Sequence, residues 1–403
     1  MSQRRNKNGR GRIDMKRIGL EASLAIAEAV RLADADVIAA YPITPQTHIV
    51  ERLADYVANG ELNGQYIPVE SEHSAMSACL GSSAVGARTF TATAGVGLEL
   101  MHEVLYVASS MRLPIVMSVA NRALSSPLSI WGDHSDAMSA RDCGWIQIFS
   151  ENAQQVFDLV LCAFRIAEDN DVLCPVMIHV DGFHVSHVIE SLDILEESDI
   201  KGFIPPYKHP YPLDPAKPLT LGAFGMPNVY TEVKKAQDVD LRNTKGKIIE
   251  TWNEFAKISG RKYSPVEKYL TDDADTLMVT MGSYGETAMS AIDELRNEGI
   301  KVGLLKIRLW RPFPFEEFKE AMGNAKNLIV LDRAISFGGP TGPVCSEIKA
   351  ALYSDAKKPN IVSFVGGLGG RDITDKSFKN IIKSGIEQAG NASDNEVQIV
   401  EVR

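Results

Sequence analysis

The chain is poor in cysteine. Its five cysteines, Cys79, Cys143, Cys162, Cys174 and Cys345, are scattered, and none forms a C-x-x-C pair. That pattern argues for reduced thiols, and against an iron–sulfur cluster or structural zinc held by this chain alone. No apolar run approaches the roughly 20 residues that span a bilayer, so a membrane partner is not expected. No G-x-S-x-G, H-E-x-x-H or Walker A motif occurs, which leaves the serine-hydrolase, zinc-protease and P-loop readings without support. Positive charge is scarce too. Lys and Arg number 42 against 52 Asp and Glu, a net charge of −10, which disfavours nucleic acid and anionic membranes as partners. The exception is residues 1–17, where seven basic residues from Arg4 to Arg17 face the single acid Asp14. This stretch reads as a basic mobile tail, with a contact arm for an acidic partner as the alternative. No apolar segment follows the basic head as it would in a signal peptide, so a cytoplasmic location is expected.

What is present is apolar and regularly punctuated. The 403 residues are 45% hydrophobic, enough for two or three domains at about 150 residues each. Helical periodicity over Leu20–Leu32 is followed by a strand over Val37–Tyr41 and a helix from Pro45 to about Val57. Strands at Tyr66–Glu70, Thr89–Thr93, Leu113–Ala120, Ile146–Ser150 and Val176–Val180 are spaced by helices over Glu72–Val85, Leu98–Ser110 and Val156–Ala167. Strands alternating with helices mean βαβ units, a mainly parallel sheet and helices on both faces. We therefore expect an α/β domain over residues 18–200. Lys201–Pro218 holds six prolines and reads as an extended connector. Lys245–Tyr269 is expected to be helical, completing a linking region over 201–270. A smaller α/β domain follows over 271–403, with strands at Thr276–Thr280, Val302–Ile307, Leu328–Leu331 and Ile361–Val365.

In open α/β sheets, ligands collect beyond the carboxyl ends of the strands. Thr44, Glu72, the turn Thr93-Ala94-Gly95-Val96-Gly97 and Arg122 all follow strand ends, so a parallel sheet brings them to one rim. Each has a plainer reading. Thr44 fits an N-cap, with Pro45 at the first helical position. Glu72 suits a helix start, Arg122 a surface ion pair, and the glycines a turn. Glu70, two residues before Glu72, shares its side of an alternating strand. Arg122–Cys143 has no periodicity, and an irregular segment of that length inside a domain is usually functional. Asp133, His134 and Asp136 within it admit a metal-ligand reading, but no further ligand stands at motif spacing, and a loop shaping a pocket is the better account. His179, His184 and His187 read as packing or surface residues.

Taken together, Tyr41-Pro-Ile-Thr-Pro45, Ser71-Glu72, Thr91-Ala-Thr-Ala-Gly95, Ala120-Asn-Arg122, Ser129-Ile-Trp-Gly-Asp-His134, Val180-Asp-Gly-Phe183 and Gly366-Gly-Leu-Gly-Gly-Arg-Asp372 closely resemble the alpha subunits of the 2-oxoacid:ferredoxin oxidoreductases, the pyruvate form in particular. The resemblance runs from about residue 15 to 403. It implies a pyrimidine-binding domain like those of thiamine-diphosphate enzymes, followed by a domain like the C-terminal domain of transketolase. It implies oxidative, reversible decarboxylation of pyruvate to acetyl-CoA and CO2, using thiamine diphosphate and coenzyme A and passing electrons to ferredoxin. By motif matching, Glu72 is the glutamate that hydrogen-bonds N1′ of the aminopyrimidine. Arg122 is the arginine that binds the substrate carboxylate, a task suited to guanidinium geometry. Thr44 is the threonine at the substrate's reacting end, and Pro42 and Gly95 lie on the cofactor side.

Thiamine enzymes usually hold Mg2+ and the diphosphate with a Gly-Asp-Gly motif, and this chain has none. Partner subunits are therefore expected to supply that site and the [4Fe-4S] clusters: beta for the diphosphate, with gamma and delta completing the complex. Metal ligands in this chain are not expected. The alternatives are the same chemistry on 2-oxoisovalerate, 2-oxoglutarate, an aryl pyruvate or oxalate, a non-catalytic scaffold subunit, or a transketolase-like ligase.

Overall fold

The structure is a computed structural model and describes residues 15–389 and 397–403. The seven central residues of one strand, Ile115–Asn121, are all buried, as a parallel strand covered by helices on both faces requires. In chain order the first half comprises β1 (Met15–Glu21), α1 (Ala22–Leu32), β2 (Val37–Ala40), α2 (Thr47–Ala58), β3 (Gln65–Pro68), α3 (Glu72–Ala84) and β4 (Thr89–Thr93). It continues with α4 (Val96–Leu100), α5 (His102–Ser110), β5 (Ile115–Asn121), α6 (Ser135–Ser139), β6 (Ile146–Phe149), α7 (Ala153–Ala167), β7 (Val176–Asp181), β8 (Ile189–Leu195), α8 (Glu197–Phe203) and α9 (Pro227–Ser259).

The second half comprises β9 (Val266–Tyr269), β10 (Thr276–Met281), α10 (Tyr284–Asn297), β11 (Val302–Ile307), β12 (Leu309–Arg311), α11 (Phe315–Met322) and β13 (Asn327–Asp332). It ends with α12 (Pro343–Leu352), β14 (Asn360–Val365), α13 (Asp375–Ala389) and β15 (Gln398–Ile399).

The first sheet runs β12-β6-β7-β5-β4-β2-β3 and the second β15-β14-β13-β10-β11-β9. In the first, every pairing is parallel except the edge pair β12–β6. The mixed α/β class with mainly parallel sheets is thus as expected. Helix α1 buries Ala22, Ala25, Ile26, Ala29 and Val30, the spacing of one helical face, and lies against α7.

Several local expectations need correction. Residues 1–14 of the basic tail lie outside the described residues. Met15–Arg17 are the start of β1, which pairs antiparallel with β8. Lys201–Phe203 complete α8. The linking helix begins at Pro227, not Lys245, and closes at Gly260 in the left-handed conformation, φ 73°, the usual glycine stop. Its exposed, polar first half hides it from apolar periodicity, and only its later turns bury Ile248, Trp252 and Phe255. The expected helix over Lys245–Tyr269 also contains β9, which pairs with β11. Strand β12 crosses back from the second half to edge the first sheet.

Candidate active site

Strands β3, β2, β4 and β5 are parallel neighbours, so their carboxyl ends form one rim. All four rim positions expected from sequence lie there. Thr44, however, is not an N-cap. It sits exposed at the start of a turn, joined to Pro45 by a cis peptide, and α2 starts at Thr47 with Gln46 at the cap position. Its carbonyl instead accepts a hydrogen bond from Arg122 Nη1 (3.0 Å). Pro42 is exposed beside it.

Ser71 caps α3 by accepting the N–H of Ser74 (3.2 Å), which makes Glu72 the first residue of that helix. Its side chain turns inward and is only 5% exposed. Among the described residues its carboxyl has no hydrogen bond and no ion pair. Glu70 is different: it is exposed and accepts the Ser74 hydroxyl. The little access that remains to Glu72 reaches its carboxyl oxygens, so the acid faces solvent at the rim without a protein partner. The Thr93 hydroxyl nearby is fully buried and unpartnered. A Cβ placed on Gly97 would fall 2.6 Å from both Glu72 Oε1 and Thr93 Oγ1, so only glycine lets these two oxygens pack this closely on the turn.

The same turn seats Arg122. Gly95 adopts φ 50°, and a Cβ there would lie 3.0 Å from Arg122 Cγ, so the arginine stem rests on the glycine. Arg122 is 6% exposed. Its Nε donates to the Ser129 carbonyl (2.9 Å). Nη2 makes no hydrogen bond, and no carboxylate pairs with the guanidinium among the described residues. The surface-ion-pair reading of Arg122 therefore fails. The turn over residues 94–97 thus carries an acid on one side and a base on the other, each without an ion-pair partner among the described residues.

The irregular loop after β5 contains the short helix α6, and its acids all have protein partners. Asp133 accepts from Ser135 and from the Gly369 N–H (3.0 Å). His134 bonds Asp181 (2.8 Å). Asp136 accepts the N–H groups of Gly95 and Arg122. Among the described residues no group of three His, Cys, Asp or Glu side chains is arranged to hold a metal. The Gly366–Asp372 motif braces this loop: the Gly370 N–H donates to the Gly132 carbonyl (2.8 Å). Trp131 lies over Phe183, ring centroids 4.6 Å apart.

Sequence reasoning missed the centre of the domain junction. Asp181, fully buried at the end of β7, pairs with Arg333 Nη1 (2.7 Å) and His134, and accepts the N–H and hydroxyl of Ser283 (2.8 and 2.5 Å). Burial opposes its ionisation, but the Arg333 and His134 charges and these hydrogen bonds hold its carboxyl well below the usual range. His179 is buried, stacked on Phe149, and pushed down to about 3, chiefly by burial. His184 approaches Asp372 (3.8 Å), and His187 packs on His48 and Phe183. A cleft of about 680 Å3 between α9 and the Phe313 segment is lined by none of the rim residues.

Residues 28–252, more than half the chain, match the family described as pyruvate flavodoxin/ferredoxin oxidoreductase, thiamine diphosphate-binding. Residues 274–378 match pyruvate:ferredoxin oxidoreductase core domain II. The chain is 51% identical to pyruvate synthase subunit PorA of Methanocaldococcus jannaschii over 89% of this chain and 92% of that one. It is 47% identical to the Thermotoga maritima PorA over 92% and 95%. It is also 45% identical to ketoisovalerate oxidoreductase subunit VorA of Pyrococcus abyssi over 90% and 91%. In fold it resembles a 2-oxoglutarate:ferredoxin oxidoreductase from Magnetococcus marinus, TM-score 0.71 at 21% identity, covering 92% of this chain and 65% of that longer one. A split-gene transketolase is a more distant structural neighbour, TM-score 0.56 at 13% identity, covering 92% of this chain and 99% of that one. The chain belongs to the pyruvate:ferredoxin oxidoreductase family and is a thiamine-diphosphate-binding subunit of a multi-subunit oxidoreductase.

Proposed function

We propose that this chain is the alpha-type subunit of a pyruvate:ferredoxin oxidoreductase, oxidising pyruvate to acetyl-CoA and CO2 and working reversibly. The observation that carries the reading is the pair of side chains Glu72 and Arg122, without ion-pair partners among the described residues, on either side of one glycine turn. The Glu72 carboxyl, an acceptor with no protein partner among the described residues, fits the aminopyrimidine of thiamine diphosphate, whose protonated ring nitrogen needs an acceptor. Bound there, thiamine diphosphate supplies a carbon nucleophile and an electron sink for decarboxylation.

This chain's residues do the rest on its side. Glu72 would hold a proton at a ring nitrogen of the bound aminopyrimidine, a general acid–base role. Arg122 offers its free Nη2 to the substrate carboxylate, so substrate enters to complete an ion pair rather than to break one. The Thr44 carbonyl steadies the guanidinium, while its exposed hydroxyl is available to the substrate's reacting end. Gly95 and Pro42 line the cofactor side of the rim.

The chain holds half a site. It has no Gly-Asp-Gly motif, and all five cysteines are buried and dispersed. Beta, gamma and delta subunits supply Mg2+ and diphosphate binding and the [4Fe-4S] clusters, with coenzyme A as co-substrate and ferredoxin as acceptor. The rim carries exposed Tyr41, Ile67, Val96, Leu100, Ile130 and Trp131, an apolar border suited to a partner subunit. No helix among the described residues is long and apolar enough to cross a membrane, and a cytoplasmic complex fits that.

The second reading keeps the mechanism and changes the acid. It has support from the VorA relative. A panel of 2-oxoacids tested on the co-purified complex decides between them, with oxygen excluded, thiamine diphosphate, Mg2+ and coenzyme A present, and viologen dye as acceptor. Preference for pyruvate with the isolated chain inert is expected. Preference for a branched 2-oxoacid moves the specificity, and no activity from a cluster-loaded complex overturns the reading.

A further inference from the structure

Beneath the rim lies a carboxyl that none of these roles uses. Asp136, the second residue of α6, is fully buried. Its Oδ2 accepts two backbone N–H groups, from Gly95 (3.0 Å) and Arg122 (2.9 Å). Its Oδ1 accepts the Asn121 amide (2.8 Å) and the N–H of Ala137 (2.7 Å). Four donors converge on it, and no cation pairs with it among the described residues. Burial pushes the carboxyl up to about 7, and the hydrogen bonds only partly oppose that.

The two groups on Oδ2 come from neighbouring strand ends, just beyond β4 and β5. They belong to the very residues whose contact shapes the rim, since the Arg122 stem rests on Gly95. One oxygen therefore sets the spacing between the glycine turn and the arginine above it. No strand hydrogen bond does so there, because the β4–β5 ladder ends at Thr93 and Val119.

We infer that Asp136 is the positioning residue for Arg122, clamping the Gly95 and Arg122 backbones so that the guanidinium faces the incoming 2-oxoacid carboxylate. The inference rests on Arg122 being the carboxylate-binding residue. Asp136 itself touches no substrate. Small misplacement of a positioning group costs up to about 100-fold.

The test uses the co-purified complex carrying Arg122→Ala, Asp136→Ala, Asp136→Asn or the Arg122→Ala/Asp136→Ala pair. The kcat and KM for pyruvate and the KM for coenzyme A are measured under anaerobic conditions. Asp136→Ala is expected to raise the pyruvate KM by about 10- to 100-fold, with kcat less affected and the coenzyme A KM unchanged. The double variant should be no worse than Arg122→Ala, because a clamp has nothing to position once the guanidinium is gone. Asp136→Asn should fall between parent and Asp136→Ala, since an amide oxygen still accepts the two N–H groups. Multiplying effects in the double variant, or equal damage to both KM values, would make Asp136 merely structural and overturn the inference. If Asp136→Ala fails to assemble, Asp136→Asn decides: a several-fold higher pyruvate KM alone supports the clamp, and parental values overturn it. An unchanged pyruvate KM in Arg122→Ala overturns the underlying role of Arg122, a result distinct from failure of the clamp.

Discussion

Two regions of this molecule bury charge, and they do so in opposite ways. At the domain junction, Asp181 is met by Arg333, His134 and Ser283, so both signs are present and the acceptor atoms are filled. At the rim, Glu72 and Arg122 are nearly as buried, yet Glu72 has no partner and Arg122 has only carbonyls. Buried charges are normally paired. The junction obeys that rule within the chain. At the rim the charged atoms keep a little solvent access in place of a partner. On the function proposed above, the difference separates charge that joins two domains from charge held ready for a ligand.

The strongest way to break this comparison is to unpair the junction. Asp181→Ala strands the Arg333 guanidinium in the interior, and removing one member of a buried pair costs about 3–5 kcal/mol. A sharp fall in the complex's melting temperature, or loss of soluble complex, is the expected result. Asp181→Leu/Arg333→Met should lose less than the two single changes added together, because it leaves no orphan charge. A melting temperature unmoved by Asp181→Ala would remove the distinction between the two regions.

At the rim, the same kind of change should injure function and spare the fold. Glu72→Gln is expected to lower kcat by about 100-fold or more, the scale of general acid–base groups, with the melting temperature of the ligand-free complex unchanged. Arg122→Ala should raise the pyruvate KM by an amount worth about 1.5–3 kcal/mol, the range for hydrogen bonds to charged groups. Arg122→Met should leave the ligand-free complex as stable as the parent, or more so, since it removes an uncompensated charge while keeping the stem's volume. Steady-state kinetics beside differential scanning of one preparation checks all three. Equal destabilisation by Glu72→Gln and Asp181→Ala would show the rim to be structural.

These outcomes bear on what a sequence can carry. Thr44, Glu72, Gly95 and Arg122 were legible because parallel strands send all their carboxyl ends to one rim, and each residue follows a strand by a few positions. The turn that separates Thr44 from α2 was not, because a local Thr-Pro pattern suits a cap equally well. Asp136 and the Asp181–Arg333 pair leave no periodic trace. Asp136 reaches Gly95, 41 residues away, and Asp181 reaches Arg333, 152 away, and only the folded sheet brings them together. The β1–β8 pair and the crossover of β12 into the first sheet escape for the same reason. A basic head followed by Met15–Glu21 resembles a tail until its antiparallel partner is known.

A third way of burying a carboxyl differs from both junction and rim: burial favours its protonated, neutral form. Asp332, at the end of β13, accepts the Val344 and Cys345 N–H groups at the start of α12 (2.6 and 3.2 Å) and has no cation beside it among the described residues. Burial pushes it up to about 7 from an ordinary 3.8. Between those values the folded chain keeps the proton and the unfolded chain loses it. Stability from this group is therefore complete below pH 3.8 and falls as pH rises through about 7. One proton gives a slope of at most about 1.4 kcal/mol per pH unit, so the change from pH 6 to 7 is about 1 kcal/mol, the smallest effect considered. Asp136, raised to a similar value, adds to that fall. His134 and His179, both lowered by burial, act oppositely, because the unfolded chain takes up their protons as pH drops. The comparison of Asp332→Asn with the parent cancels these other groups. Melting of the two complexes across pH 5–8 should show a shallower decline in the variant. An identical slope would mean that Asp332 is ionised in the fold, and that the α12 N–H groups compensate a full charge as completely as Arg333 does at the junction.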